Sequence, residues 1–543
     1  MRQRWLTGAA ALTVAAVLTA SAACGGDGGA NRTPVPTGAP TSGSESTPGA
    51  QATPAASTAG ATPLTTSTSG STGTNATFTL GVASGDVTST SAVVWTRAEG
   101  AGAVEAEIAR AATFKTYGST QASTSAGRDF TVKAVFDGLA AGTTYYYRFF
   151  ANGAFSPVGT FTTAPAETAS QPLRFVFGGD SDGVRSAAGA PTYNNFEVLD
   201  AAAAEHPAFF LYFGDTIYAD RDPVASTLAG YRSKYRENRG YPALTRLLAQ
   251  TSTYNTWDDH EVVNDFAGTT VDRAMFEAGR QAFREYMPID DSAGDPATMY
   301  RAFRWGKDVD LIALDERSFR DGSASAACAG DALPGVLAPG VPPIYRAGRA
   351  ILKLPDAIPP ACLDTLNNPA RTMLGAEQKA FLKQRLKSST ATWKVIVNEV
   401  AIQQIEAQPY DRWEDYAAER REILSFIRDN GIKNVVFLTT DFHGTIFGPV
   451  RVDLFADPAP VAYEAIVGPI ATFTTKRELS FTFGEAAANA FGPLLTNVIQ
   501  VDCNELESYA YGLVDVDPAA GTMTITSKDA SGKELCKKQL KAE

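Results

Sequence analysis

The ten residues Phe209-Phe-Leu-Tyr-Phe-Gly-Asp-Thr-Ile-Tyr218 decide how the chain folds. Five consecutive apolar residues read as a strand buried on both faces, and Gly-Asp then turns the chain away from the sheet. The same pattern, an apolar run closed by a polar cluster, recurs at Leu173-Arg-Phe-Val-Phe177, Val309-Asp-Leu-Ile-Ala-Leu314, Trp393-Lys-Val-Ile-Val397 and Asn434-Val-Val-Phe-Leu438. Helical periodicity intervenes, as at residues 376–387 and 411–429. Residues 171–528 therefore read as one α/β domain. In such sheets ligands gather outside the carboxyl ends of strands. That rule alone points to Asp180, Asp215, Asp315, Asn398 and Asp441, of which all but Asn398 are carboxylates.

Working outward, residues 76–165 change to an all-β pattern. Phe78-Thr-Leu-Gly-Val82, Ser91-Ala-Val-Val-Trp95 and Ala103-Val-Glu-Ala-Glu-Ile108 are short alternating runs separated by turn residues. The stretch Leu139-Ala-Ala-Gly-Thr-Thr-Tyr-Tyr-Tyr-Arg-Phe149 resembles a fibronectin III or immunoglobulin-like module, with Tyr145 or Tyr147 tying the corner. Residues 25–75 are dominated by Gly, Ser, Thr, Ala and Pro, a composition that favours a disordered linker. Residues 529–543 read as a C-terminal tail.

The first 24 residues have the layout of an export signal: Arg2 and Arg4, an apolar run from Trp5, then small residues before Cys24. This resembles a bacterial lipoprotein site, implying an acylated Cys24 and a cell-envelope location. Ser21 stands where that pattern prefers Leu, so free secretion stays open. The remaining cysteines, Cys328, Cys362, Cys503 and Cys536, are even in number, as expected of two disulfides in an exported chain. Nearest-neighbour pairing is one of three possibilities. Closing the Cys328–Cys362 loop would stabilise by roughly 3–4 kcal/mol in the chain-entropy model. The formal net charge of −12 argues against nucleic acid as the main partner, because affinity there comes from Lys and Arg neutralising phosphates.

The polar clusters follow a fixed order: Asp180-Ser-Asp182, Gly214-Asp-Thr-Ile-Tyr218, Trp257-Asp-Asp-His-Glu-Val262, Asn398 and Asp441-Phe-His443. This order resembles the metallophosphatases. Trp-Asp-Asp-His-Glu, Leu314-Asp-Glu-Arg-Ser-Phe-Arg320 and Asp-x-His bring it closer to the alkaline phosphatase D (PhoD-like) family, over roughly residues 76–528. The resemblance implies an α/β catalytic domain of four layers (αββα) behind an all-β N-terminal domain. It also implies an extracytoplasmic phosphoesterase that attacks phosphate esters with a hydroxide activated by two metals. A phospholipase D-like diesterase and a non-catalytic surface binding protein are the alternatives.

By the same resemblance Asp215 bridges the metals, while Tyr218 and His443 hold one of them. Asp259, Asn398 and Asp441 hold the other. A phenol of pKa about 10 loses its proton only to a strong Lewis acid, which favours Fe3+ at Tyr218. An oxygen-rich second site suits Ca2+, Mn2+ or Mg2+. Asp180 stands where the family commonly has Cys, which makes the site harder and admits Mn2+ or Zn2+; a role for Asp182 stays open. His260 is expected to face the phosphate, oriented by Asp258 or Glu261. Arg317 is a candidate phosphate clamp, or else the partner of a carboxylate such as Asp258. Asn264 and Arg185 are further substrate-binding candidates. His206, before Pro207, reads as structural.

Overall fold

The computed structural model describes residues 65–66, 76–291, 298–328, 360–405 and 411–543. The expected export signal, Cys24 and nearly all of the expected linker lie outside the described residues. Among the described residues no helix is long and apolar enough to cross a membrane.

The N-terminal strands are β1 (Thr65–Thr66), β2 (Val82–Gly85), β3 (Ser91–Arg97), β4 (Ala103–Ala109), β5 (Thr116–Ser123), β6 (Thr131–Asp137), β7 (Thr144–Ala151), β8 (Ala154–Phe155) and β9 (Gly159–Thr162). Next come β10 (Leu173–Gly178), β11 (Phe209–Phe213), β12 (Ser252–Thr256), β13 (Arg301–Trp305), β14 (Val309–Ala313), β15 (Trp393–Asn398) and β16 (Val435–Thr439). The last are β17 (Thr445–Asp453), β18 (Asp457–Ile466), β19 (Cys503–Glu505), β20 (Tyr511–Asp517), β21 (Thr522–Lys528) and β22 (Glu534–Lys541). Two large sheets result, in the orders β22-β21-β20-β10-β11-β12-β2-β3-β6 and β13-β14-β15-β16-β18-β17-β19.

Side-chain alternation explains the layers. On β11, Phe209, Leu211 and Phe213 point into the core shared by the two sheets, against residues such as Leu311, Val395 and Leu438. Phe210 and Tyr212 point the other way, into a core with Leu199, Tyr231, Leu244 and Phe283 from the covering helices Glu197–Ala204, Leu228–Arg239, Pro242–Gln250 and Arg273–Tyr286. The second sheet turns Ile312, Ile396 and Phe437 outward onto Leu382, Leu386, Ile423 and Ile427 of helices Gly375–Ser388 and Ala417–Asp429. The four-layer αββα arrangement holds.

The all-β region is less separate than its sequence implies. Strands β4, β5, β7, β8 and β9, with β1, form a sheet of their own. Strands β2, β3 and β6 instead extend the catalytic sheet, with β2 parallel to β12 through Ser252↔Ser84 and Thr253↔Gly85. The two sheets enclose a core that includes Val94, Val104, Val132, Phe149 and Phe161. At the junction a Cβ on Gly85 would lie 2.5 Å from the Pro288 carbonyl oxygen and 2.7 Å from that of Thr253. Only a residue without a side chain allows this approach. The Trp95 indole donates to the Glu285 carbonyl (2.7 Å), and Arg301 pairs with Asp86 (3.0 Å) across the same boundary. Tyr145 fills the corner position: its hydroxyl accepts from the Ala140 N–H at 2.9 Å.

The C-terminal tail expected over residues 529–543 is also corrected. Glu534–Lys541 is edge strand β22, paired along β21. Lys537, Lys538 and Lys541 disguise it, yet Cys536 is buried and Leu535 and Leu540 pack on the inter-sheet core. Cys503 on β19 and Cys536 on β22 form a disulfide that links the two large sheets, and Cys328 bonds to Cys362. Nearest-neighbour pairing is therefore the one adopted.

Candidate metal centre

Strands β10, β11, β12 and β16 deliver four loops to one place. Several of the expected site residues there adopt left-handed backbone: Asp180 (φ 56°), Asp215 (φ 47°), Asp441 (φ 62°) and His443 (φ 54°). Such conformations cost of order 1–3 kcal/mol each for residues with side chains.

Asp180, Asp215 and His443 each offer a ligand atom within 4.8 Å of the others, and so do Asp215, Asp259 and His260. Asp215 belongs to both groups. The Tyr218 hydroxyl is 3.0 Å from His443 Nε2, and His443 Nδ1 is 3.1 Å from Glu478 Oε1. Asp180 Oδ1 accepts from the Asp441 N–H at 3.0 Å, while its Oδ2 is buried without a hydrogen bond. A Cβ at Gly468 would come within 2.2 Å of that oxygen, so glycine leaves it room.

Burial and crowding set the electrostatics of the cluster. Burial, then the negative charges of Asp259, Asp258, Glu261 and Asp180, push the Asp215 carboxyl well above its ordinary range. Burial pushes Asp180 up to about 7 despite His443. Asp441 is also raised strongly, by burial and by Asp258 and Asp411. Burial, then the negative charges of Asp215, Asp180 and Asp182, push the Tyr218 phenol well above its ordinary range. Asp259 runs the other way: burial raises it, but Arg317, His260 and the Asp265 N–H outweigh that and hold it well below the ordinary range. Buried carboxylates crowded together, with an unpaired oxygen among them, are a donor set that cations would satisfy. The residues present therefore fit metal ions.

The remaining expected residues lie as follows. The Asp441 carboxyl is in neither group, although its backbone holds Asp180. Asn398 is engaged by protein: its Oδ1 accepts from the Trp413 indole at 3.0 Å, and its Nδ2 donates to the Val400 carbonyl at 2.5 Å. Asp315 staples its own turn, accepting from Ser318 N (3.0 Å) and Trp257 Nε1 (3.0 Å). Asp182 keeps Oδ2 buried without a hydrogen bond, 3.9 Å from Arg221 Nε, and burial lifts it to about 6.

Two expectations change. Asp258 does not touch the His260 ring through a hydrogen bond; it is ion-paired with Arg317 because both are wholly buried. Glu261 accepts from Thr216 N and Oγ1 at 2.6 Å each and from Asp258 N at 3.0 Å, which pins two loops together. The partner of His260 is Asp220, whose Oδ1 is 2.7 Å from Nδ1. Burial would lower His260, but Asp259 and Asp220 hold it up to about 9. Its Nε2 lies 3.9 Å from Asp215 Oδ2 and 4.0 Å from Asp259 Oδ1, so it reaches whatever those carboxylates hold. Of the two readings of Arg317, partnership with a carboxylate is the one the structure adopts: besides Asp258 it grips Asp411 bidentately at 2.6 and 2.7 Å. Asn264 is exposed, and its N–H donates to Asp220 Oδ2 at 3.1 Å.

Asp220, Asp265, Asp411 and Glu478 escaped the sequence reading. Asp259, Asp265 and Asp411 form a third group of ligand atoms within 4.8 Å. Only Asp220 carried a signal, its place two residues after Tyr218.

Paired sheets between helical layers, with carboxylates and histidines at the strand ends, make this a metallophosphatase fold. A solved purple acid phosphatase, PPD1 from yellow lupin seeds, has the same fold at a TM-score of 0.54 and 11% identity, over 85% of this chain and 74% of that one. The chain belongs to the PhoD-like phosphatase family: that family's model matches residues 183–525, and the model of its N-terminal domain matches residues 64–165. Alkaline phosphatase D of Bacillus subtilis (strain 168) is 30% identical over 418 residues, 69% of this chain and 66% of the relative. The match thus spans just under two thirds of that relative's length. The solved structure of PhoD aligns at a TM-score of 0.67 and 23% identity, covering 87% of this chain and 94% of that one.

Proposed function

We propose that this chain is an exported, metal-dependent phosphoesterase acting on phosphate-ester small molecules as an alkaline phosphatase or phosphodiesterase. The observation that carries the reading is Asp215, whose carboxylate lies within 4.8 Å of ligand atoms of Asp180 and His443 on one side and of Asp259, with His260 beside it, on the other. Asp180, Tyr218 and His443 would hold one ion with it, and Asp259 the other. Metal ions bound there would supply Lewis acidity, activating water and offsetting phosphoryl charge.

This chain's own residues would do the rest. His260, held by Asp220, presents Nε2 beside Asp215 and Asp259. From there it can donate to a phosphoryl or leaving-group oxygen, a contribution of roughly 10²–10⁴-fold for a placed acid. Glu478 fixes the His443 ring through Nδ1, leaving Nε2 toward Tyr218. The phenol of Tyr218 is a ligand only once deprotonated, which favours Fe3+ at that position. The carboxylates of the other site suit Ca2+, Mg2+ or Mn2+, and Zn2+ is compatible with the histidine side.

Two disulfides fit an oxidising compartment. That and the N-terminal signal pattern support export, with acylation of Cys24 as the proposed anchor. The test is phosphate release from a chromogenic monoester, with and without chelator, alongside elemental analysis. Asp215→Asn should lose activity and metal together. Hydrolysis that survives chelation would sink the reading.

A further inference from the structure

Arg221 follows Tyr218 and Asp220 on the same loop. The other arginines near the cluster are spent: Arg317 on Asp258 and Asp411, and Arg320 on Asp411 and the Tyr416 hydroxyl. Arg221 differs. Its side chain is 39% exposed, and its guanidinium carbon lies 5.7 Å from the centre of the Tyr218 ring. Tyr218 in turn stacks on His260 at 4.1 Å. The side chain of Arg221 makes no hydrogen bond among the described residues. Its Nε is shielded from solvent with no acceptor, and the nearest carboxylate oxygen, Asp182 Oδ2, is 3.9 Å away.

Backbone contacts fix the position of this residue, while its guanidinium has only the long contact to Asp182 and the face of the Tyr218 ring. The Arg221 N–H donates to the Tyr218 carbonyl at 3.4 Å, and its carbonyl accepts from buried Lys234 Nζ at 2.8 Å. A guanidinium beside the proposed metal centre, with unused donors, matches phosphoryl oxygens in fork geometry.

We propose that Arg221 binds the non-bridging phosphoryl oxygens and favours monoester dianions over diester monoanions. This rests on the phosphoesterase reading. A monoester presents an additional anionic oxygen where a diester carries a second alkoxy group. A fixed cation therefore gains more from the monoester.

The experiment compares wild type with Arg221→Ala and Arg221→Lys, each with its metal content measured. Substrates are p-nitrophenyl phosphate and bis-p-nitrophenyl phosphate, with inorganic phosphate as competitive inhibitor. In the alanine variant kcat/KM on the monoester should fall about tenfold or more, the worth of one hydrogen bond to a charged group. Phosphate inhibition should weaken by a similar factor, and the diester rate should change far less. Lysine should recover part of the loss at unchanged metal content. Equal losses on both esters, unchanged phosphate inhibition, or loss of metal from the alanine variant would each overturn the assignment alone. A wild-type protein that hydrolyses neither ester brings down the phosphoesterase reading, and the assignment with it.

Discussion

Asp220 Oδ1 lies 2.7 Å from His260 Nδ1, and the other oxygen of the same carboxylate accepts from the Asn264 N–H. Asp220 is thereby fixed from two sides and fixes the imidazole in turn. Asp220→Asn should keep the ring roughly in place but remove the charge that supports its protonated form. The expected result is a fall in kcat of roughly 10²-fold, the low end of what a placed acid contributes, with metal content intact. His260→Ala should behave likewise and more severely. Metal lost from either variant would make His260 a ligand and not a proton donor.

Arg317 answers to a different measurement. Its guanidinium joins buried Asp258 to Asp411, with Asp259 a further 3.7 Å contact. Arg317→Met strands those carboxylates. Urea unfolding should show a loss of about 3–5 kcal/mol, the range for breaking a buried pair from one side. A variant of unchanged stability but raised KM would instead restore Arg317 to the substrate.

At the sheet junction, Gly85→Ala forces a methyl against the Pro288 and Thr253 carbonyls. Backbone cannot step aside as a flexible side chain can. Destabilisation of roughly 1–3 kcal/mol is expected from overpacking. A change within error in a thermal melt would mean that β2 and β12 are not held as tightly as described.

Lys133 supplies a pH dependence away from the metal site. Its ammonium donates to the Ile289 carbonyl (3.0 Å) and Asp291 (2.9 Å). Burial pushes its pKa down to about 8, with Asp291 opposing. An unfolded lysine titrates near 10.4. Between those values the unfolded chain keeps a proton that the folded chain has shed, so stability rises with pH across that window. The stability of wild type relative to Lys133→Met should therefore improve by roughly 2–3 kcal/mol between pH 7 and pH 10.5. A flat difference would mean that the ammonium remains charged throughout.

The sequence was most legible where chemistry sits directly on a strand end. Asp180 and Asp215 were findable because a buried strand must stop and the polar residues just after it gather at its carboxyl end; the same rule named Asp315 and Asn398, which protein contacts engage instead, while Asp259 was reached through the order of the motifs. His443 follows the same logic one turn later. Asp220 was harder, because which carboxylate meets the His260 ring depends on two loops folding back on each other. Arg317 was ambiguous for a related reason: a conspicuous arginine in a motif looks the same whether it meets substrate or two aspartates. The pairing of β2 with β12 left no local trace, since alternation reports burial and not partners. Strand β22 hid behind its lysines, which are normal on an exposed edge.

The parallel pairing of β2 with β12 also imposes an order of events. Synthesis makes Val82–Gly85 long before Ser252–Thr256, so the early module must wait with one rim of peptide groups unpaired. That rim is a template for the wrong strand as readily as for the right one. For this protein the hazardous interval in biogenesis is the gap between those two segments, and any truncation ending inside it would leave a sticky, unfinished sheet.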